Sequence, residues 1–273
     1  MTYRMIALDL DGTLLDQRME IQPPVRAAVA AAQARGVVVT IATGRTFRAT
    51  QPHIAVLGIR DPVICYQGGA IFDAQTGAVS NAVTIPGPLA AEGAQFMLDL
   101  GLFCLVYADE KIYVADATRP ELDYYRSFHP EGIELVVTPD LAEVTKSLST
   151  LKVQFTAVPE IIDRHLPAFH AHFDGRLHVL RAHDHYLELT PLGVSKGSAL
   201  AQLASNLTIP QAEVIAIGDH FNDLEMIQWA GLGLAMANGA PAVQALADAV
   251  IPSVGENGVA WAIERYVLGG EVE

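Results

Sequence analysis

The sequence predicts an α/β protein: a doubly wound, mainly parallel core sheet with a smaller α+β domain inserted into it. Three observations lead there. In the first and last thirds, apolar runs alternate with helical patterns, the order expected of strand-helix-strand units. Those runs are apolar throughout rather than every second residue, as befits parallel strands covered on both faces. Between about Val83 and Tyr186 the texture changes to short alternating strands and histidine-rich helices. The length of 273 residues exceeds the common single-domain size, so a second domain fits. The expected boundaries are residues 1–82 and 187–273 for the core and 83–186 for the insert.

In chain order, RMIALDL reads as a buried strand and PPVRAAVAAAQARG as a helix, with proline at its start and Gly36 as its stop. VVVTIATGR is a second strand that ends in a polar turn. PVICYQGGAIFD reads as a hairpin turning at Gly68-Gly69. In the insert, LFCLVYADEKIYVAD, LKVQFTAV and RLHVLRA read as strands, with RPELDYYRSF and PEIIDRHLPAFHAHF as helices. The last third returns to alternation. VSKGSALAQLASNL, NDLEMIQWAG and PAVQALAD are helical, and AEVIAIGD, GLGLAMA and AVIPSV are strands.

Composition excludes several functions. A net charge of -14 with no basic block argues against nucleic acid as a partner. No stretch of about 18 apolar residues is present to span a membrane, and the N-terminus meets charged residues too early for a secretion signal, so a cytoplasmic protein is expected. Cys65 and Cys104 lack CxxC spacing and sit in apolar runs, which predicts buried free thiols. GVSKGSA is no phosphate loop of the GxxxxGK[ST] kind, and GLGLAMANG lacks the third glycine of a dinucleotide fingerprint. His183 and His185 could share a strand face, but no cysteine or spaced partner completes a metal set.

The chemistry concentrates at strand ends. In ALDLDGTLLD, Asp9 and Asp11 lie one residue apart after an apolar run, so strand alternation directs both to one side with Leu10 opposite. Ligands of a doubly wound sheet bind beyond the carboxyl ends of its strands, where this pair sits. In GDHFNDLEM, Asp219 ends a later strand and Asn222 and Asp223 open the next helix. Alone, Asp219 and Asp223 would read as helix caps. Together with Asp9 and Asp11 they make four carboxylates, whose repulsion is about 4 kcal/mol per pair at 4 Å and an effective dielectric near 20. That demands a cation, and oxygen-only ligands favour Mg²⁺ over zinc. Thr43 and Gly44 offer a hydroxyl and a backbone N–H to a phosphoryl group, and Lys196 offers a positive charge. Taken singly, ATGR is also an ordinary turn and Lys196 an ordinary surface charge.

In order, DLDGTLL, ATGR, a single lysine before a helix and GDHFND resemble the four motifs of the haloacid dehalogenase superfamily, and most closely its Cof-type phosphatase branch. The resemblance spans the chain and implies a Rossmann-like core with a large α/β cap in place of the insert. It implies that Asp9 is the nucleophile, forming an aspartyl phosphate, and that Asp11 is the general acid and then base. It further implies Mg²⁺ held by Asp9, the Asp11 carbonyl and Asp219 with Asp223 orienting them, and phosphate oxygens held by Leu10, Thr43, Gly44, Lys196 and Asn222. The expected substrate is a small phosphomonoester, with sugar phosphates first and flavin or pyridoxal phosphates next; the expected assembly is a monomer or homodimer. A phosphomutase and a non-catalytic ligand-binding domain are the alternatives. One departure stands out: Gln67-Gly68-Gly69 replaces the Asn-Gly-Ala frequent in that branch, which bears on leaving-group preference if Gln67 faces the substrate.

Overall fold

Met5–Leu8 form β1, the strand next to which the active residues must lie, and all four of its residues are buried. The computed structural model describes residues 2–16, 18–127 and 134–269. From β1 the chain runs through α1 (Pro23–Ala34), β2 (Val38–Ile41), α2 (Phe47–Leu57), β3 (Val63–Cys65), β4 (Ala70–Phe72) and β5 (Val79–Ala82). α1 starts on Pro23-Pro24, where missing N–H groups cost nothing, and inserts Val25, Ala28, Val29 and Ala32 into the core. α2 has no counterpart in the sequence reading because Pro52 lies inside it; Thr46 caps it, its Oγ1 accepting from Ala49 N at 3.1 Å.

The middle of the chain gives α3 (Gly87–Asp99), β6 (Phe103–Ala108), β7 (Lys111–Val114), α4 (Pro120–Ser127), β8 (Leu135–Val137), α5 (Leu141–Thr145), β9 (Thr150–Thr156), α6 (Pro159–Phe173), β10 (His178–His183) and β11 (Tyr186–Thr190). The last third gives α7 (Lys196–Asn206), β12 (Val214–Gly218), α8 (Leu224–Trp229), β13 (Leu232–Met236), α9 (Pro241–Gln244), β14 (Ala249–Ile251) and α10 (Gly258–Ile263). The end of the helix expected over RPELDYYRSF lies outside the described residues.

The chain divides into two compact units. The first holds the residues up to Arg45, Thr50–Asn81 and those from Ser195 onward; the second holds Thr46–Ala49 and Ala82–Val194. In the first, five parallel strands lie in the order β14-β13-β12-β1-β2. β1 sits between β2, reached through α1, and β12, reached only after the whole insert. Chain direction across the sheet therefore reverses beside β1, which creates a crevice at the carboxyl ends of these strands. Met5 and Ala7 pack with Leu200, Leu203 and Met226 on one face of the sheet.

The second unit is a six-stranded mixed sheet in the order β10-β11-β9-β6-β7-β8. One of its faces packs Val106, Val153, Phe155, Leu187 and Leu189 against Ala94 and Met97 of α3 and Phe169 and Phe173 of α6. β11 pairs antiparallel with β9 and β10, so residues 187–194 belong to this unit and not to the core, contrary to the boundary drawn from sequence. A five-residue strand does not announce its sheet; its partner decides. Both cysteines are buried and free, and burial pushes the Cys104 thiol up. Among the described residues no helix is long and apolar enough to cross a membrane.

Candidate active site

Three neighbouring strands end together. Leu8 of β1 is level with Ile217 of β12 and with Ile41 of β2, so Asp9, Asp219 and Thr43 follow at closely similar heights. β1 stops at Leu8, but Asp9 N donates to Ile217 O at 3.0 Å and keeps Asp9 in line with the ladder. The chain then turns: Leu10 is fully buried and its carbonyl accepts from Leu14 N at 3.0 Å and Leu15 N at 2.8 Å. Gly12 takes φ +85°, and a Cβ there would stand 2.3 Å from Asp219 Oδ2. Glycine is thus required twice over, for backbone sign and for room.

Lys196 is the first residue of α7 and is 1% exposed. A reciprocal cap fixes it: Ser198 N donates to Ser195 Oγ at 3.1 Å, and Ser195 N donates to Ser198 Oγ at 2.9 Å. Gly68, at φ +96°, lets the loop after β3 lie against the Ser195 carbonyl, which a Cβ would meet at 2.1 Å. Held in this way, Lys196 Nζ donates to Asp9 Oδ1 at 2.5 Å and to Asp223 Oδ1 at 2.6 Å. The other oxygen of Asp223 accepts from the backbone N–H groups of Asp219 and His220, both at 3.0 Å. Asp223 is therefore the brace that orders the loop after β12.

Asp9, Asp219 and Asp223 each offer an oxygen within 4.8 Å of the others, the one such metal-binding group among the described residues. Burial pushes the Asp9 carboxyl up, the Asp223 charge adds to this, and Lys196 opposes it. Burial and the Asp9 charge push Asp219 up in the same way. Burial alone would push the Lys196 ammonium down, but Asp223 and Asp9 hold it well above its ordinary value. One cation against three carboxylates leaves a surplus of negative charge, and Asp219 Oδ1 is buried with no hydrogen-bond partner. An orphaned carboxylate oxygen in an all-oxygen set suits a hard divalent cation such as Mg²⁺.

Asp11 stands apart. Its side chain is 49% exposed, and both its oxygens are taken by Arg45: Nη2 donates to Oδ1 at 2.7 Å and Nε to Oδ2 at 3.0 Å. The four-carboxylate cluster expected from sequence is thus three carboxylates plus a separate Asp11–Arg45 pair, because Arg45 supplies the counter-charge. Arg45 carries no role in the sequence reading although it is part of ATGR; the bidentate fit of a guanidinium to a carboxylate is the missing signal.

Thr43 is buried, and its Oγ1 accepts from Arg45 N at 3.2 Å. Gly44 faces Gln67, whose Nε2 a Cβ would meet at 2.3 Å. Gln67 N donates to Thr43 O at 3.0 Å, and Gln67 Oε1 accepts from Asn222 Nδ2 at 3.1 Å. The turn after β3 uses Tyr66, Gln67 and Gly68 at positive φ rather than Gly68-Gly69 alone. Gln67 therefore ties the second motif to the fourth, which the amide substitution noted in the sequence did not reveal. The structure gathers Asp9, Leu10, Thr43, Gly44, Lys196, Asn222, Asp219 and Asp223 around the ends of three strands. His183 and His185 lie far along the chain in β10 and its following turn, with rings 5.9 Å apart, and are in no metal-binding group among the described residues.

A profile of haloacid dehalogenase-like hydrolases matches residues 6–263. The chain belongs to that superfamily. Among curated relatives it is similar to YxeH of Bacillus subtilis strain 168, 33% identical over 269 residues that cover 97% of this chain and 99% of that one. It is also similar to the pyridoxal phosphate phosphatase YbhA of Escherichia coli K12, 29% identical over 98% of this chain and all of that one. A haloacid dehalogenase-like hydrolase from Bacteroides thetaiotaomicron superposes with a TM-score of 0.86 at 28% identity, covering 97% of this chain and 99% of that one. The protein is a phosphoric monoester hydrolase of that superfamily.

Proposed function

We propose that the enzyme is a Mg²⁺-dependent phosphatase of small phosphorylated metabolites, working through an aspartyl phosphate on Asp9, with the second unit as its cap. The observation that carries this reading is the contact of Lys196 Nζ with Asp9 Oδ1 at 2.5 Å inside a buried set of three carboxylates. A carboxylate and a phosphate dianion repel each other, so the nucleophile must be neutralised before it attacks.

Asp9, Asp219 and the Asp11 carbonyl would hold Mg²⁺, with Asp223 ordering them; when bound, the ion supplies the positive charge that the cluster lacks. Lys196 offsets charge on Asp9 and on the transferring group. Thr43, Gly44, Asn222 and the Leu10 amide orient the phosphate oxygens for in-line transfer through a loose transition state, in which positioning and charge do most of the catalysis. An Asp9 oxygen bonds to phosphorus as the ester oxygen departs, and Asp11 gives that oxygen its proton. Asp11 then takes a proton from water, whose oxygen attacks phosphorus and releases Asp9 and inorganic phosphate. Arg45 grips Asp11 in the free enzyme, so its carboxylate must exchange partners during the cycle.

Sugar phosphates are the first substrates to test, and pyridoxal phosphate, the substrate in the name of one relative, comes next. Asp9→Asn keeps the shape and removes the nucleophile; hydrolysis of p-nitrophenyl phosphate should fall to background with the melting curve preserved. Substantial residual phosphate release by that variant would refute the assignment. Incubation with a hexose phosphate separates hydrolysis, which yields free phosphate, from a mutase, which yields only an isomer.

A further inference from the structure

The turn after β3 meets three of the four motifs at once. Tyr66 N donates to Arg45 O and Gln67 N to Thr43 O, both at 3.0 Å, so the turn's backbone clamps the second motif. Gly68 lies against the Ser195 carbonyl just ahead of Lys196, the third. The Gln67 side chain reaches the fourth: its Oε1 accepts from Asn222 Nδ2 at 3.1 Å, while its Nε2 fills the space that a Cβ on Gly44 would take. Gln67 is 4% exposed and stands at φ 59° and ψ 26°. Residues with side chains rarely adopt that conformation, and it persists where surrounding contacts hold it.

An asparagine side chain has two unlike ends, since Nδ2 carries two N–H donors and Oδ1 only accepts. An anionic phosphoryl oxygen also only accepts, so Asn222 can hold one with its N–H end alone. Asn222 Oδ1 is buried with no hydrogen-bond partner, and nothing at that end fixes which way the amide faces. Among the described residues the bond from Nδ2 to Gln67 Oε1 is the one side-chain hydrogen bond that Asn222 makes. It uses one donor and leaves the second. Turned over, the amide would set Oδ1 against Gln67 Oε1, acceptor to acceptor.

We propose that Gln67 is a positioning residue: its side-chain carbonyl holds Asn222 by one N–H, so that the Asn222 amide meets the phosphoryl group as a donor and not as an acceptor. The inference rests on the phosphatase reading, in which Asn222 holds a phosphate oxygen. Gln67 thereby acts on the group that all substrates share. Its amide is spent between Gly44 and Asn222 and is almost wholly out of solvent, so it takes no part in the choice of leaving group.

The test uses Gln67→Met, which keeps length and bulk without the amide, and Gln67→Gly, which adopts φ 59° without strain and so folds even if the methionine variant does not. Binding of inorganic phosphate in the presence of Mg²⁺ is read by calorimetry. In parallel, kcat and KM are measured on a sugar phosphate, a simple alkyl phosphate and p-nitrophenyl phosphate. Each variant should bind inorganic phosphate about tenfold more weakly and lose kcat/KM by a similar factor on all three substrates. In an Asn222→Ala background the same changes should cost less than about twofold, because the side chain acted upon is gone. Unchanged phosphate affinity, a loss confined to one leaving group, or equal losses in both backgrounds would overturn the positioning role and leave the phosphatase reading intact. A wild type that releases phosphate from no monoester would overturn the phosphatase reading itself, and the positioning role with it.

Discussion

Replacing Lys196 by methionine removes the positive charge that bonds to both Asp9 and Asp223 while keeping most of the buried volume. Lys196 is fully enclosed and bonded to both carboxylates at 2.5 and 2.6 Å. Taking one partner from a buried charged set costs about 3–5 kcal/mol, because the remaining charges stay desolvated and uncompensated. For a chain of this size each kcal/mol lowers the melting temperature by about 2–4 °C, so Lys196→Met should melt roughly 10 °C below wild type in EDTA. The decisive measurement is a double-mutant cycle with Asp9→Asn. Once Asp9 is neutral there is less charge to leave stranded, so the double variant should be destabilised by about 1–3 kcal/mol less than the sum of the single ones. Phosphate release by Lys196→Met should fall at least about a hundredfold. Strict additivity, or a Lys196→Met protein melting within about 2 °C of wild type, would refute the account of Lys196 as the cluster's counter-charge.

Three further outcomes follow from the same geometry. Gly12→Ala meets Asp219 Oδ2 at 2.3 Å and needs φ +85°, so it should weaken Mg²⁺ activation by at least about tenfold, read from the Mg²⁺ concentration for half-maximal activity; an unchanged value would show that Asp219 is no ligand. In EDTA, Asp9 and Asp219 have folded-state pKa values raised to about 7 and about 9, above those of the unfolded chain. Their contribution to stability is therefore fully present below the ordinary carboxylate range and lost as pH rises through those values. The melting temperature of metal-free enzyme should fall between about pH 4 and 9, and Asp219→Asn should flatten that slope; a rising curve would contradict the charge crowding. Arg45→Met frees Asp11 from its bidentate partner. It should slow alkyl phosphates, whose departing oxygen needs a proton, more than p-nitrophenyl phosphate, whose departing oxygen does not. Equal effects on the two would mean that Arg45 has only a structural part.

Much of the molecule was readable from the chain because its signals are local. Proline at the start of α1 and α9, wholly apolar β1 and β12, and carboxylates directly after strands are each visible within ten residues. What escaped depends on distant partners. Arg45 lies in a quoted motif, yet its value comes from a turn that returns Asp11 to it across 34 positions. Gln67 became part of the site because three successive residues, Tyr66, Gln67 and Gly68, adopt positive φ and place its amide by Gly44 and Asn222. β11 was split from its sheet because a five-residue strand does not announce its partner, and only its pairing with β9 and β10 shows where it belongs. α2 was hidden by Pro52, which a helix tolerates here where neighbouring contacts outweigh one lost hydrogen bond.

The central strand of the core has a consequence for how the chain is made. β2 leaves the ribosome soon after β1, but the other neighbour of β1, β12, begins only at Val214. Through synthesis of the whole second unit, β1 has a bare hydrogen-bonding edge, and Asp9 lacks the ammonium that arrives with Lys196, 187 positions later. The second unit pairs mostly with itself and can fold while the first waits. The nascent core is thus an apolar sheet edge guarded at its tip by uncompensated carboxylates, whose charge disfavours edge-to-edge association until the C-terminal third closes the sheet.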